Sequence, residues 1–334
     1  MNFFLTLLLT GIFLITLISL KFFIFVAKKK NLLDNQNPHY NFQPTPTGSG
    51  IVFIVVFLFS TYLFTNSEVF MNSLPNNYYI ALVSILILGI ISFIDDLKPL
   101  DPKIRLIAQI FFIYCSLTTL ELTKLELPLK LSFFLAISLW IYLINITNFI
   151  DGSDGFLTSI AISFWLGIIL INLLIEIKLF SFYLAIINLP ILFAFLIFNK
   201  PKAKIFMGDV GSIFNGFLIG FSFIELILEK YYIIAIIIFI YPLMDCTYCL
   251  IKKILKGYMP WVGLYDYFFL KPILRNKLNH FKVFIIISIF NIINLFLLLL
   301  ILITDNQFIF ILNITICLFV IFIFNKVKIE NYFN

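Results

Sequence analysis

Apolar residues fill this chain in long continuous runs that are separated by short polar segments. Eleven such runs have about 20 residues each, the length that an α-helix needs to cross a hydrocarbon core about 30 Å thick. The strands of a membrane barrel would instead show about ten residues of alternating polarity. The pattern therefore predicts an all-α, polytopic integral membrane bundle of about 11 transmembrane helices in one domain. The predicted spans are 3–26, 49–66, 79–94, 104–119, 131–147, 157–176, 179–198, 210–229, 231–250, 282–303 and 307–325.

The composition agrees with a membrane protein. Of the 334 residues, 62% are hydrophobic, and the mean hydropathy is +1.09, whereas roughly half of the residues are apolar in a soluble protein. The first run lacks a basic start and ends in Lys28, Lys29 and Lys30 without a small-residue cleavage site, so we expect a retained helix rather than a secretory signal. The four cysteines lie in or beside apolar spans, where packing is expected rather than a disulfide or a zinc site.

The loops between these spans differ sharply in positive charge. If the crossings alternate, 18 of the 23 Lys and Arg residues lie on one side, and four lie in loops on the other. Loops rich in Lys and Arg stay in the cytoplasm, which places the N-terminus outside and the C-terminus in the cytoplasm. The net charge of +6 thus reflects membrane orientation, and no nucleic-acid partner is expected. The predicted cytoplasmic loops are about 27–48, 95–104, 148–156, 199–209 and 251–281.

Most of the aspartates gather on the same side, close to helix ends. A secondary transporter tends to carry its ionisable groups near the bilayer midplane, so this distribution favours chemistry at the cytoplasmic face. Glu225 and Asp245 lie in mid-span instead. For each of them, a buried structural role and a role in a site are equally open.

The first polar segment is ISFIDDLKPLDPKIRLIAQ. Asp95 and Asp96 end the third predicted helix, and Lys98, Lys103 and Arg105 follow on the way into the fourth. Mg²⁺ binds one or two carboxylates together with phosphate oxygens, so adjacent acids beside cations suit Mg²⁺ and phosphate. A polar turn with interfacial lysines is the competing interpretation.

The second segment, NITNFIDGSDGF, places Asn145, Asn148, Asp151 and Asp154 at intervals of three residues. On a helical or turn-like backbone this spacing keeps the side chains on roughly one face, and the two glycines permit tight bending or close approach of a ligand. A simple turn between helices needs only two or three such residues. Four of them favour a functional site.

The third segment is NKPKAKIFMGDVGSIFNGF, in which three lysines precede Phe206 and Asp209 at the start of the eighth predicted helix. Helix N-termini favour anions, so this turn suits a phosphate, and Asp209 adds a metal ligand. Alternatively, Asp209 caps the helix and the lysines bind anionic lipid headgroups. For the FQPTPTGSGIVF segment and the aromatic, basic loop 251–281, an ordinary loop or a membrane anchor explains the composition equally well.

Three acidic segments on one membrane face are harder to explain as unrelated turns than any one of them. Carboxylates alone would repel a phosphorylated substrate, but Mg²⁺ together with flanking lysines reverses that field. The combination predicts a diphosphate as the ligand.

These segments resemble the polyprenyl-phosphate N-acetylhexosamine-1-phosphate transferases of glycosyltransferase family 4. That family includes undecaprenyl-phosphate N-acetylglucosamine-1-phosphate transferase and, more distantly, phospho-N-acetylmuramoyl-pentapeptide transferase. The similar pieces occur in family order within residues 33–220 and are LDNQN with PTPTGSG, DDLKPLDPKIRLIAQ, NITNFIDGSDG and KIFMGDVGS. The resemblance implies an eleven-helix enzyme of the bacterial cytoplasmic membrane that starts a cell-envelope glycan. It implies transfer of a sugar 1-phosphate from a UDP-sugar to polyprenyl phosphate, with release of UMP and with Mg²⁺, or alternatively Mn²⁺, as cofactor.

The resemblance also implies roles for single residues. Asp95 and Asp96 look like the family's acidic pair, and with Asp151 they form the predicted catalytic set. Asp209 looks like the main magnesium ligand, with Asn148 as a second metal ligand.

A further set is implied to bind substrate. Lys98 and Lys103 look like the basic residues that follow the acidic pair, and Asn148 and Asp154 belong to the polar cytoplasmic motif. Phe206 looks like an aromatic platform for uracil.

Two family elements are not matched. A His-Arg-x-His element that follows a Trp is replaced by residues 264–267 when the chain is aligned on Trp261, and Thr47 stands where an Arg is common. His39 and His280 fall outside the missing element and are interpreted as ordinary interfacial residues. Because the missing groups are implied to contact the nucleotide sugar, the sugar stays unassigned, and a phospho-N-acetylmuramoyl-pentapeptide transferase-like activity is the alternative.

Other function classes stay open at this point. A transporter or flippase for a phosphorylated lipid would move its substrate without producing UMP, and a scaffold without activity would bind Mg²⁺ and lipid without turnover. Direct attack and a phospho-aspartate intermediate are both compatible with the residues. The oligomeric state, a homodimer included, is also open.

Overall fold

The computed structural model describes residues 3–34, 44–65, 77–175, 179–257, 267–275, 277–306 and 308–326, and most of them are helical. The helices are α1 (Phe3–Lys29), α2 (Gly50–Thr65), α3 (Tyr79–Leu97), α4 (Pro102–Leu117), α5 (Leu129–Phe149), α6 (Phe156–Ile175), α7 (Phe180–Asn199), α8 (Gly208–Leu228), α9 (Tyr232–Ile238), α10 (Ile240–Leu255), α11 (Lys271–Leu274), α12 (His280–Thr304) and α13 (Phe308–Asn325). A two-residue antiparallel ladder pairs β1 (Leu33–Asp34) with β2 (Thr45–Pro46).

The predicted apolar spans coincide with helices. Among the described residues, eight helices are long and apolar enough to cross a membrane, and a ninth span results if the bent α9–α10 pair is one crossing. Helix α2 is apolar but has 16 residues, and α4 also has 16. The polytopic helical membrane fold is confirmed, while the number of crossings and the orientation of the termini stay predictions.

The span predicted over 231–250 is not one straight helix. Helices α9 and α10 meet at an angle of 83°, and Phe239 between them has φ −129° and ψ 22°, outside the helical region. Pro242 follows in the first turn of α10. Because proline has no N–H, it cannot donate to the carbonyl four residues earlier, and its ring clashes with that carbonyl. A continuous helix is therefore broken at this point.

Helix α8 is the most deeply buried of the eight spans. Its Gly216 and Gly220 face α5, because a Cβ on Gly216 would lie 2.8 Å from the Cα of Ile144 and one on Gly220 would lie 2.2 Å from Trp140. Small residues let membrane helices approach closely. Since α3, α5 and α8 pack together, the end of α3, the end of α5 and the start of α8 come together at one end of the bundle.

Glu225 and Asp245, both predicted in mid-span, accept backbone hydrogen bonds, and Glu225 lies in the last turn of α8. Glu225 accepts hydrogen bonds from the backbone N–H groups of Phe180 at 2.7 Å and Ser181 at 2.8 Å, at the start of α7. Asp245 accepts hydrogen bonds from the N–H groups of Phe268 and Phe269 at 3.0 and 3.4 Å. Each of them satisfies backbone donors that burial would otherwise leave unpaired. The four cysteines are free thiols.

Candidate active site

Asp95 lies in the last turn of α3, where it ties this helix to α4. Its Oδ1 accepts a hydrogen bond from the N–H of Leu100 at 2.7 Å, and its Oδ2 accepts one from Nη1 of Arg105 at 2.6 Å. Only 9% of Asp95 is exposed. Both carboxylate oxygens are thus engaged within the turn that joins the two helices.

Asp96, the next residue, caps a different helix. Its Oδ1 accepts from the N–H of Asp209 at 3.0 Å, and its Oδ2 accepts from the N–H of Val210 at 3.4 Å. These donors belong to the first turn of α8, where N–H groups lack helical partners and the helix dipole favours an anion. Gly208, with φ +71°, makes this approach possible, since a Cβ there would lie 2.4 Å from Asp96 Oδ2.

Arg105 joins the acidic pair to the predicted metal ligand. The same Nη1 that bonds Asp95 also lies 3.1 Å from Oδ2 of Asp209. Arg105 follows the acidic pair in the sequence but was not among the predicted site residues. One feature of the sequence could have indicated its role. A guanidinium can donate hydrogen bonds to two carboxylates at once, and it does so better than the ammonium group of a lysine. Lys98 and Lys103, which were predicted to bind substrate, are exposed on the same turn.

The polar segment after α5 brings two more predicted residues to this point. Asn148 accepts a hydrogen bond from Oγ of Ser212 at 2.6 Å, and the same hydroxyl lies 3.2 Å from the backbone carbonyl oxygen of Asp209. Asp151 follows in the turn, where burial raises the pKa of its carboxyl group well above the ordinary value, and the charges of Asp209 and Asp96 raise it further. The structure therefore brings Asp96, Asp151 and Asp209 together.

Asp154 has structural partners that its predicted role did not include. Its Oδ2 accepts from the N–H groups of Lys202 and Ala203 at 3.0 and 3.1 Å, and its Oδ1 lies 3.8 Å from Nδ1 of His280. His280 was interpreted as an interfacial residue, but it is buried and also lies 3.0 Å from the hydroxyl of Ser153. These contacts fix the α7–α8 loop against the Asp151 turn.

The PTPTGSG segment forms part of the wall beside α8. The N–H of Phe206 donates to the carbonyl of Pro46 at 2.8 Å, Oγ of Ser49 donates to the carbonyl of Phe206 at 2.9 Å, and the N–H of Gly50 donates to that of Met207 at 2.9 Å. Phe206, the predicted platform for uracil, is thereby placed in the turn that leads to Asp209. His39 and the other residues just before this segment lie outside the described ranges.

Aromatic rings hold the last loop against the site. Tyr267 stacks on Phe149 with ring centroids 5.8 Å apart, and Phe269 stacks on Phe156 at 4.2 Å. Tyr267 is the last of the four positions aligned with the missing His-Arg-x-His element, and positions 264–266 lie outside the described residues. The loop backbone that follows the element is thus packed against the helices that flank Asp151.

The donor set fits Mg²⁺. The described residues contain no group of three or more His, Cys, Asp or Glu side chains placed to hold a metal ion. Mg²⁺ needs only one or two carboxylates and completes its octahedron with water and phosphate oxygens. Asp209, whose side chain is 33% exposed, lies among several carboxylates and beside one cation, Arg105. A divalent cation would reduce the repulsion among these carboxylates, with Asp209 as its carboxylate ligand and Asn148 close by.

An apolar groove runs along the lipid-facing side of α7. Its volume is about 770 Å³, and α1, α6 and α7 line it. The wall is hydrocarbon apart from Lys200, which follows the last residue of α7. Lys200 also lies beside the Asp151 turn, since a Cβ on Gly155 would be 3.5 Å from its Cα. The groove therefore reaches the end of the bundle that holds the acidic cluster.

Comparison with known proteins connects this arrangement to a family. The sequence model of glycosyl transferase family 4 matches residues 78–227, the range that carries Asp95, Asp96, Asp151 and Asp209. The phospho-N-acetylmuramoyl-pentapeptide-transferase of Streptococcus pneumoniae serotype 19F (strain G54) is 29% identical over 225 residues, which are 61% of this chain and 68% of that protein.

The protein of the same name from Buchnera aphidicola subsp. Acyrthosiphon pisum (strain 5A) is 31% identical over 243 residues. That match covers 60% of this chain and 66% of the relative. The chain thus spans about two thirds of the length of these relatives.

Proposed function

Because the chain belongs to glycosyl transferase family 4, we propose that it transfers a sugar 1-phosphate from a UDP-sugar to polyprenyl phosphate and releases UMP. The observation that carries the proposal is the convergence of Asp96, Asp151 and Asp209 with Arg105 at one end of the bundle. Phosphoryl transfer depends mainly on alignment and on stabilisation of charge. A cluster of carboxylates that suits a divalent cation, with an arginine beside it, supports that chemistry.

The roles of the acids follow from their contacts. Asp96 orients the first turn of α8 and thereby the metal-binding carboxylate of Asp209. Asp151 is assigned to the lipid phosphate, which it would orient or deprotonate, because its turn lies beside Lys200 at the end of the apolar groove. Asp95 keeps Arg105 in place. Mg²⁺, when bound at Asp209, would neutralise the charge of the diphosphate and of the leaving UMP.

The donor sugar is proposed to be an N-acetylhexosamine. The similarity to the two phospho-N-acetylmuramoyl-pentapeptide-transferases favours phospho-N-acetylmuramoyl-pentapeptide as the second candidate. The aligned basic motif, which would contact the nucleotide sugar, is replaced at 264–267. We therefore place the difference between the two candidates at positions 264–267.

The lipid acceptor needs an apolar surface that reaches the acidic cluster. The groove along α7 provides one, and Lys200 at its end offers a positive charge to a phosphate. An isoprenoid chain in this groove would bring its phosphate to the Asp151 turn. We assign the groove to the tail of polyprenyl phosphate.

The enzyme is proposed to lie in the bacterial cytoplasmic membrane with its site facing the cytoplasm, and to start a cell-envelope glycan. The excess of Lys and Arg in the loops at the site end supports this orientation, and the relatives are bacterial. A homodimer is compatible with these assignments and is not required by them.

A panel of UDP-sugars, assayed with polyprenyl phosphate and scored for UMP, tests the proposal. We expect UMP release with at least one UDP-N-acetylhexosamine or with the pentapeptide donor, dependence on Mg²⁺, and loss of release in Asp209→Ala. Full activity of that variant would contradict the assigned site. Movement of labelled lipid across vesicles without UMP would instead favour a flippase, and Mg²⁺ and lipid binding without turnover would favour a scaffold.

A further inference from the structure

Arg105 shares one nitrogen between two carboxylates from different helices. Its Nη1 lies 2.6 Å from Asp95 Oδ2 and 3.1 Å from Asp209 Oδ2. Asp95 is nearly buried and is also held by the N–H of Leu100. Asp209 and Arg105 are each about one third exposed. Arg105 is therefore held by the buried carboxylate of Asp95, and it also contacts the partly exposed carboxylate of Asp209.

The charges around Arg105 are unbalanced. Arg105 contacts Asp95 and Asp209, and the negative charges of Asp96 and Asp151 also lie near Asp209. Like charges repel each other more strongly where water is scarce. A divalent cation that binds Asp209 would add positive charge beside Arg105, and one of the two carboxylate oxygens it could use is the Oδ2 that Arg105 bonds.

Resting on the proposed function, we propose that Arg105 is a positioning residue that holds Asp209 in place before the donor binds and competes with the divalent cation for Asp209 Oδ2. The guanidinium has five donors in a planar fork. Its bond to Asp95 keeps it in place when the divalent cation binds Asp209. Its freed donors then face the diphosphate of the donor substrate. Arg105 thus lowers the affinity for the metal alone and favours the metal together with a phosphorylated ligand.

Binding of Mn²⁺ to the purified full chain, measured by electron paramagnetic resonance without donor or lipid, tests this proposal. In Arg105→Gln the Mn²⁺ dissociation constant is expected to fall by roughly three- to tenfold, because the competing ion pair is gone. The metal-free melting temperature is expected to fall, and Mn²⁺ should restore it. Equal or weaker Mn²⁺ binding, as a merely structural role predicts, would overturn the proposal, and so would a wild-type protein that binds no Mn²⁺.

Arg105→Lys keeps the charge but not the fork, so its dissociation constant should lie between those of the wild type and Arg105→Gln. If the Gln variant does not fold, a Lys variant that binds Mn²⁺ no more tightly than the wild type overturns the proposal. Lys256→Gln, which removes an exposed charge at the end of α10, serves as a control and should bind like the wild type. Mn²⁺ binding can be measured without turnover. If the variants bind Mn²⁺ in the expected order but the protein releases no UMP, the proposed function is refuted and this inference is not.

Discussion

Gly50 at the start of α2 and Gly211 in the first turn of α8 touch through their backbones. A Cβ on Gly50 would lie 2.1 Å from the backbone nitrogen of Gly211 and 2.8 Å from the carbonyl carbon of Val210. No side chain larger than the hydrogen of glycine fits between the two helices at this point. The position of the turn that carries Asp209 therefore depends on a residue that is 159 positions away in the sequence.

Gly50→Ala is expected to push α2 and α8 apart, because the neighbouring atoms are backbone and cannot rotate away. We expect the free energy of unfolding to fall by about 2 to 3 kcal/mol and UMP release to fall by about tenfold or more, since Asp209 is displaced. Melting in detergent and initial rates measure the two effects. Gly11→Ala is the control, because a Cβ there meets no atom within 4 Å, and it should leave both unchanged or raise stability.

Asp96→Asn keeps an oxygen that can cap α8 but removes the negative charge of the carboxylate. The amide oxygen still accepts the N–H of Asp209, so we expect the free energy of unfolding to change by less than about 1 kcal/mol. The variant loses the negative charge that lies beside the metal-binding carboxylate of Asp209, so UMP release should fall by about 100-fold. Asp96→Ala should lose stability as well. A fully active Asp96→Asn protein would show that Asp96 acts only as a helix cap.

Asp154→Asn tests the predicted substrate-binding role against the structural one. An amide oxygen can accept the N–H groups of Lys202 and Ala203 as the carboxylate does, so a structural role predicts that most activity is kept. Asp154→Ala removes the acceptor and should cost about 1 to 3 kcal/mol. Rates at several UDP-sugar concentrations and melting in detergent distinguish these effects. A large rise in KM for Asp154→Asn at normal stability would support direct substrate binding.

Glu225→Ala should weaken the fold without touching the chemistry. It leaves the N–H groups of Phe180 and Ser181 without their acceptor, which is expected to lower the free energy of unfolding by about 2 to 3 kcal/mol. KM for the donor should not change. Glu229→Gln is the matched control, since its ion pair with Lys124 at 2.7 Å is partly exposed and worth less than about 1 kcal/mol. A changed KM in a stable Glu225→Ala protein would contradict the structural assignment.

Ile197→Trp narrows the groove along α7. Ile197 lines the groove and is 46% exposed, so a larger ring fits without disturbing the core. We expect KM for polyprenyl phosphate to rise while KM for the UDP-sugar stays the same. Ile303→Trp, at a site on α12 that is 64% exposed, is the control. If both variants bind the lipid acceptor like the wild type, the isoprenoid chain lies elsewhere.

The helices and the end of the bundle that carries the site could be read from the sequence. A bilayer requires each crossing to satisfy its own backbone hydrogen bonds, so an apolar run such as that of α12 predicts a helix without reference to any other segment. Crossings that alternate also predict which polar segments share a side. That reasoning placed Asp96, Asp151 and Asp209 at the same face, and the structure brings them together.

The partners of each side chain required the tertiary structure. Asp96 caps a helix whose first turn is 113 residues away, Arg105 reaches Asp209 across two helices, and Asp154 holds a loop 48 residues on. The bend at Phe239 also divides the span that hydropathy predicts over 231–250. Hydropathy is a local property that decides which segments enter the membrane, whereas these contacts depend on how closely α2, α3, α5 and α8 pack, and that distance is set by glycines and side chains from distant parts of the chain.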